Sequence, residues 1–296
     1  MKNLIITYFL FTSFIFFAQP KKAGLSNAVV QNMVTTLQHD TCLNKKFSIV
    51  FYVVLDSNYS PGAATTATLT QLVNNLNTAF KRICVQFLNC STVYIPVYPY
   101  NKWKKNITDP VVRANWYTDK TINIYIVDSV KNQPFSEPYG YAYPPPPVSA
   151  TTSTDAIVIE KNQLLSTNLA GFTSSIPLHL MGDFFGLPHT FDEIGSAITP
   201  APPAPVGSYE FVNRTNCYAH GDGFCDTEAD CFPAGNNIYG SNIVCGYVSG
   251  IKDGNNEYYV PPTDNFMSQY LCRCRYSQEQ YNYMAYIILT RRLYLH

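Results

Sequence analysis

The residues best placed for joint chemistry are two histidines and an aspartate within one short stretch of the chain. The stretch reads HLMGDFFGLPH and runs from His179 to His189, with Asp183 between them. Residues four apart lie on the same face of a helix, so a helix here would align His179 with Asp183. Gly186 favours a helix end, which would turn the chain and bring His189 back. Imidazoles and carboxylates are zinc ligands, so the stretch predicts a metal site formed by His179, Asp183 and His189.

The same stretch resembles a zinc-peptidase motif in which two working residues are replaced. The motif reads H-E-x-x-H-x-x-G-x-x-H, with three histidines as zinc ligands and a glutamate as general base. Leu180 stands at the position of the glutamate, and Asp183 at that of the second histidine. Leucine cannot move a proton, and loss of a general acid–base group typically lowers a rate about 10²–10⁴-fold. Aspartate has a shorter side chain than histidine, so we expect zinc binding to be weakened.

Further segments extend the resemblance, in the same order, over residues 46 to 290. They are Ile49–Val54, Leu72 with Leu76-Asn77 and Phe80, Ile122–Val127, Gly140–Pro144, Phe184–Leu187, His189–Phe191, Gly221–Thr227, Asn265–Met267 and Cys272–Gln280. With the motif above, these segments resemble the pappalysin-like (cytophagalysin) branch of the metzincin zinc metallopeptidases. Several weak signals in the right order carry more weight than any one of them.

The resemblance implies an α+β fold with a mixed, mostly parallel twisted sheet, covering helices and an active-site helix. It also implies a loop-rich C-terminal subdomain, stapled by disulfides, that contains a Met-turn. The residue patterns agree, because strand-like runs alternate with helical spacing. Apolar residues recur at helical spacing over residues 66–82, at Leu69, Leu72, Leu76 and Phe80.

The Met-turn carries a third departure from the family pattern. Met267 is expected to form the apolar floor beneath the metal site. The family usually has a tyrosine two residues after this methionine, where it stabilises the negative charge that develops in the reaction. Gln269 occupies that position here, and Tyr270 follows one step later. A register slip would bring Tyr270 into place, and the Gln269 amide would be a weak donor.

A glycine-flanked loop offers oxygen ligands at Asp222, Asp226 and Thr227. Some relatives bind calcium in this neighbourhood, and calcium prefers oxygen ligands. The alternative is a turn stabilised by hydrogen bonds to the aspartate side chains, and we favour this alternative.

The metal site also has an alternative interpretation. His179 and His189 would then be polar residues that hydrogen-bond to Asp183 and to each other. The two interpretations have equal standing from the sequence alone. Asp192 and Glu193 follow the third ligand closely, and His220 is a further histidine that could replace a ligand.

The N-terminal residues resemble a secretion signal. Lys2 precedes an apolar stretch over residues 4–17, and Ala18 offers a small residue for cleavage. This stretch is shorter than the roughly 20 residues that a membrane-spanning helix needs. We therefore divide the chain into a signal peptide (1–18), a leader or short pro-like segment (19–45) and one metzincin-like domain (46–296). The predicted location is secreted or extracytoplasmic, with no membrane span after signal removal.

Composition and cysteine content narrow the function classes. The chain has 296 residues, 46% of them hydrophobic, and a formal net charge of zero, which argues against nucleic acid as a partner. Nine cysteines suit an oxidising compartment, where most should form disulfides. The odd count leaves one thiol over. Cys42 could cap the metal, as an upstream thiolate does in some metzincins, but we favour a disulfide that ties down the N-terminal segment.

The sequence thus predicts a secreted homologue of metzincin peptidases with weak or lost zinc-dependent proteolysis. Its expected partner is a peptide or protein bound in the old cleft. One alternative is an active zinc endopeptidase with an unusual His-Asp-His site. Another is a secreted structural or adhesion protein that uses a tyrosine-rich surface.

Overall fold

The computed structural model describes residues 42–131, 139–146, 156–165, 175–192, 209–230, 250–270 and 272–295. The predicted signal peptide and most of the predicted leader lie outside these ranges, as do Glu193 and two of the cysteines, Cys231 and Cys245. Within the described ranges, no helix is both long enough and apolar enough to cross a bilayer.

A five-stranded sheet forms the centre of the fold. Its strands are β1 (Lys45–Val54), β2 (Val85–Ile95), β4 (Ile122–Val127), β6 (Gly140–Ala142) and β7 (Ile157–Glu160). The spatial order is β2-β1-β4-β7-β6; all neighbours are parallel except β6, which runs antiparallel to β7. A small parallel pair joins β3 (Lys102–Lys104) to β5 (Ser129–Lys131). The predicted mixed, mostly parallel sheet is confirmed.

Four α-helices accompany the sheet in the described ranges. They are α1 (Thr66–Phe80), α2 (Thr108–Asn115), α3 (Ser175–Phe184) and α4 (Gln278–Thr290). The apolar residues predicted at helical spacing in α1 are all buried. At α4, Ser277 and Gln280 form a reciprocal capping box, which satisfies two backbone N–H groups at the start of the helix. Short 3₁₀ turns lie at Lys81–Ile83, Tyr98–Asn101, Lys161–Leu164 and Leu293–Leu295.

The central strands of the sheet are buried on both faces, whereas much of the edge strand β2 is exposed. Along β1, Ile49, Phe51 and Val53 belong to one apolar cluster, while Val50 and Tyr52 belong to another on the opposite face. The first cluster contains buried apolar residues of α1, α3 and α4; the second contains Val112 of α2. A parallel strand covered on both sides needs a continuous apolar run, which explains the composition of β1.

Two disulfides join loop residues whose positions the structure describes. Cys42 bonds to Cys84, which joins the chain entering β1 to the chain entering β2. Cys217 bonds to Cys225 across a tight loop, and Cys272 is also disulfide-bonded. The favoured disulfide at Cys42 is therefore confirmed. The expectation of a single spare thiol is wrong, because Cys90 and Cys274 are both free.

A buried arginine connects the C-terminal segment to helix α3. Arg292 is fully buried and donates from Nη2 to the carbonyl oxygens of Phe184 (2.5 Å) and Tyr143 (2.9 Å). Its Nη1 donates to the Tyr294 hydroxyl at 2.6 Å, and its guanidinium lies 3.5 Å from the Phe184 ring centroid. A cation at a helix C-terminus also interacts favourably with the helix dipole. Arg292 thus fixes the last turn of α3 to the segment after β6.

Replacing this guanidinium should destabilise the whole domain. In Arg292→Ala, two buried carbonyl oxygens lose their donor, and each such loss costs about 1–3 kcal/mol. We expect the free energy of unfolding, measured by urea denaturation with tryptophan fluorescence, to fall by about 2–6 kcal/mol.

The matched control is Arg291→Ala, because the hydrogen bond of Arg291 described here is made by its backbone N–H to Ile287. Its unfolding free energy should stay within about 0.5 kcal/mol of the unmodified protein. Equal effects of the two substitutions would mean that the buried contacts of Arg292 contribute little.

Candidate metal centre

The end of helix α3 places its histidine and aspartate beside the chain that follows. The N–H of Leu187 donates to Gly182 O (3.0 Å), and that of Gly186 donates to Asp183 O (2.9 Å), which is a Schellman motif. Gly186 has φ +83°, a left-handed conformation that suits glycine. Pro145 packs where a Gly186 side chain would lie. The predicted helix end is confirmed, and it reverses the chain towards His189.

Three buried side chains meet at this turn. His179, Asp183 and His189 are each less than 5% exposed, and one ligand atom from each lies within 4.8 Å of the others. The Nε2 atom of His189 is 3.4 Å from Asp183 Oδ1, and that of His179 is 3.7 Å from Asp183 Oδ2. In the part of the chain that the structure describes, this is the one cluster of such residues placed to hold a metal ion.

Both imidazoles are held in the tautomer that a metal requires. His179 Nδ1 lies 2.7 Å from the carbonyl oxygen of Phe266, which can only accept, so Nδ1 carries the proton. His189 Nδ1 lies 3.2 Å from a carboxylate oxygen of Asp192 and is the donor by the same reasoning. The Nε2 atoms of both rings lie on the side of Asp183. Bonds of this kind orient histidine ligands in metal sites.

Asp192 also makes two hydrogen bonds with the backbone of His189. It accepts the His189 backbone N–H at 2.9 Å and donates its own N–H to His189 O at 3.0 Å. The His189 ring is stacked between His179 (centroids 5.0 Å apart) and Phe191 (4.8 Å). From the sequence, Asp192 is only a carboxylate near the third ligand. Asp192 follows His189 by three residues, a spacing typical of a side chain that closes a turn, and this spacing is the sequence signal for its role.

Burial keeps His179 neutral. Desolvation, reinforced by the nearby positive charge of Arg273, lowers the pKa of His179 to about 3, although Asp183 acts in the opposite direction. A neutral imidazole is the form that binds metals. Two imidazoles and one carboxylate are a donor set that fits a divalent cation. The alternative of direct bonds to Asp183 fits less well, because 3.4 and 3.7 Å exceed ordinary hydrogen-bond lengths.

Leu180 faces the antiparallel edge of the sheet. It is 2% exposed, and its Cδ1 would lie 2.9 Å from a methyl group added at Gly140 of β6. The residue following the first histidine is thus an aliphatic group packed against the edge strand. A carboxylate, which could exchange protons with a substrate, is missing at this point.

The Met-turn lies directly against α3. Met267 is fully buried, and its sulfur occupies the space that a Gly182 side chain would need. Met267 O accepts the Thr190 N–H at 3.2 Å, so the turn also contacts the third histidine's segment. An apolar packing role for Met267 therefore agrees with these contacts. Its place beneath a metal ion stays a prediction.

The Tyr270 side chain is buried and hydrogen-bonded to a residue outside the His179–Asp183–His189 cluster. It is 1% exposed and donates its hydroxyl to Asp230 at 3.1 Å; Asp230 also accepts from the Thr190 hydroxyl at 3.0 Å. Asp230 therefore links the Met-turn to the residue after His189, a role for which the sequence gives no local signal. Gln269 is partly exposed in the preceding position. These contacts do not favour a rescue of the missing tyrosine by Tyr270.

The glycine-flanked loop has the hydrogen bonds of an aspartate-stabilised turn. Asp222 Oδ1 accepts from the Phe224 N–H (2.9 Å) and from the Thr227 hydroxyl (3.0 Å). Asp226 accepts the Glu279 N–H (2.8 Å) at the start of α4, while Glu279 accepts the N–H of Cys225 (2.6 Å). Asp226 thus caps α4, and the bonds of Asp222 within the loop agree with the turn interpretation. Calcium stays a prediction.

Sequence comparison relates the chain to a known group of peptidases. Residues 105–288 match the model of a peptidase family described as pregnancy-associated plasma protein-A. No curated protein sequence is significantly similar to the chain.

Two solved structures of mirolysin from Tannerella forsythia have a similar fold. Mature mirolysin in complex with a cleaved peptide is 14% identical to this chain, with a TM-score of 0.56. The match covers 84% of this chain and 94% of the mirolysin chain. A promirolysin variant is 15% identical, with coverage of 91% and 90% and a TM-score of 0.55. At such identities the likeness concerns the fold.

The loop provides a test that separates the turn from a calcium site. Burial raises the pKa of Asp222 well above its usual value, with Asp226 and Glu279 adding to the effect. The folded state therefore holds this proton to higher pH than the unfolded state, and the wild-type protein loses stability as pH rises through that interval. Asp222→Asn keeps an acceptor oxygen without the buried charge.

We expect Asp222→Asn to match or exceed the wild-type melting temperature at pH 8, without response to calcium. The wild type should gain stability relative to the variant as pH falls from 8 towards 4. Thermal unfolding at several pH values, with calcium or EDTA, measures both. A calcium-dependent rise in melting temperature that the variant lacks would instead identify a calcium site.

Proposed function

The chain belongs to the peptidase family described as pregnancy-associated plasma protein-A, and we propose that it is a peptide-binding member with weakened or lost proteolysis. Its fold is metzincin-like, as its likeness to mirolysin shows. The observation that carries the proposal is Leu180, a buried aliphatic side chain at the general-base position. Its packing against Gly140 leaves the first turn of the motif without a proton carrier.

Zinc would be held by His179, Asp183 and His189. When bound, it would supply Lewis-acid polarisation of a peptide carbonyl. The chain's own residues supply little of the remaining chemistry. Leu180 cannot accept a proton from water or deliver one to a leaving amine. The Tyr270 hydroxyl donates a hydrogen bond to Asp230. Without these groups, substrate binding can persist while turnover falls.

The edge of the sheet supports peptide binding. Strand β6 is the last strand in the sheet order, and it lies beside α3, with Gly140 in contact range of Leu180. An extended peptide can add to such an edge through main-chain hydrogen bonds. Mirolysin has been solved with a cleaved peptide bound. A peptide lying along β6 and across α3 is the corresponding complex here.

Secretion is part of the proposal. The Cys42–Cys84 and Cys217–Cys225 disulfides support it because disulfides are typical of oxidising compartments, in keeping with a signal peptide over residues 1–18.

An active zinc endopeptidase with a His-Asp-His site is the second candidate. The convergence of three buried ligand groups within 4.8 Å favours it. Zinc analysis of the purified protein and chelator-sensitive cleavage of a broad peptide library separate the two. Zinc at one equivalent with turnover would overturn the first proposal.

Back-substitution tests the register on which the proposal depends. We expect Leu180→Glu combined with Asp183→His to raise zinc affinity and to yield chelator-sensitive cleavage of the peptide library. The first change supplies a general base, worth about 10²–10⁴-fold in rate, and the second restores the third imidazole. Zinc affinity is measured by competition with a fluorescent chelator, and cleavage by mass spectrometry.

The single variants are the controls. Asp183→His alone should bind zinc more tightly but cleave slowly, and Leu180→Glu alone should leave zinc affinity near that of the wild type. Binding of uncleaved peptides to the wild-type protein is measured in parallel by fluorescence anisotropy. A double variant that binds zinc no better would contradict the assigned roles of both positions.

A further inference from the structure

We propose that Asp183 binds the metal through both carboxylate oxygens, which turns an open catalytic site into a closed structural one. The inference rests on the metal site of the proposed function but is independent of peptide binding. It assigns the metal a role in holding the fold together.

The carboxylate is placed between the two imidazoles. Its Oδ1 is the atom near His189 Nε2 (3.4 Å), and its Oδ2 is the atom near His179 Nε2 (3.7 Å). Each oxygen therefore faces a different ring. A histidine at this position would offer one nitrogen, whereas Asp183 offers two oxygens. Three side chains then supply four donor atoms, the number found in closed structural zinc sites, whereas catalytic sites use three and keep one position open.

The surroundings match a site without solvent exchange. Asp183 is 2% exposed, and the two histidines are 4% and 3% exposed. Leu180 and Met267, which belong to the same apolar cluster, are also buried. A carboxylate also brings a negative charge that an imidazole lacks, so it partly neutralises a bound cation. Burial limits the access of a substrate to the metal, and the negative charge reduces the power of the metal to polarise one.

A metal at this point would join separate parts of the chain. His179 and Asp183 belong to α3, His189 lies in the turn that Asp192 closes, and His179 also bonds to Phe266 in the Met-turn. Because the unfolded chain does not hold these groups together, metal binding becomes folding free energy. A structural metal needs no general base, so leucine at position 180 is compatible with the presence of the three ligand residues.

Cobalt(II) in place of zinc tests whether a coordination position is open. We expect the visible spectrum of the cobalt-loaded wild-type protein to remain unchanged when acetohydroxamate is added. Asp183→His supplies a single donor atom at this position, so its cobalt spectrum should change on addition of the same ligand. Cobalt content after desalting shows that acetohydroxamate has not removed the metal. A spectral change in the wild type would overturn the proposal, whether or not the variant folds.

Stability provides the second readout. Zinc should raise the melting temperature of the metal-stripped wild type, and Asp183→Asn, which retains one acceptor oxygen, should bind cobalt at least about 10-fold more weakly. No rise in melting temperature with zinc would contradict a structural role. Failure to bind either metal would end this inference while leaving peptide binding testable by anisotropy in EDTA.

Discussion

Two hydrogen bonds on the outer sides of the imidazoles are the constraint on which the site depends. The Phe266 carbonyl and the Asp192 carboxylate each accept a hydrogen bond from an Nδ1 atom, so the Nε2 atoms of both rings are directed towards the same small volume beside Asp183. Since these partners come from the Met-turn and from the turn after α3, the folding of both segments sets the site. Bonds of this kind orient histidine side chains in metal sites.

The residues that shape helix α3 and its end follow the family motif, whereas two positions expected to do chemistry differ from it; Leu180 is one of these. Gly182, Gly186 and Met267 retain the contacts that shape the helix, its end and the turn beneath it. Leu180 and Asp183 occupy the same framework with different chemistry. The Leu180 side chain is buried beside β6, where an aliphatic group packs without the cost of burying a charge. Peptide recognition through main-chain bonds would survive such a change.

The features that were predictable from the sequence have local causes. The periodicity of α1, the apolar run of β1, the helix end at Gly186 and the meeting of the three ligands all follow from residue spacing. The roles of Asp192, Asp230 and Arg292 were not foreseen. Asp230 and Arg292 have partners distant in sequence, and tertiary structure alone brings these groups together. Cys42 lies between the two cases, because export predicted a disulfide but not Cys84 as its partner.

The bond from Arg292 to Phe184 spans 108 residues and has a consequence for biosynthesis. Ribosomes add about 5–20 residues per second, so Arg292 emerges roughly 5–20 s after the end of α3. During that interval the Phe184 carbonyl lacks the guanidinium from which it accepts a hydrogen bond in the folded protein. The end of α3, which carries Asp183, therefore receives its full set of hydrogen-bond partners only after the C-terminal segment has been synthesised.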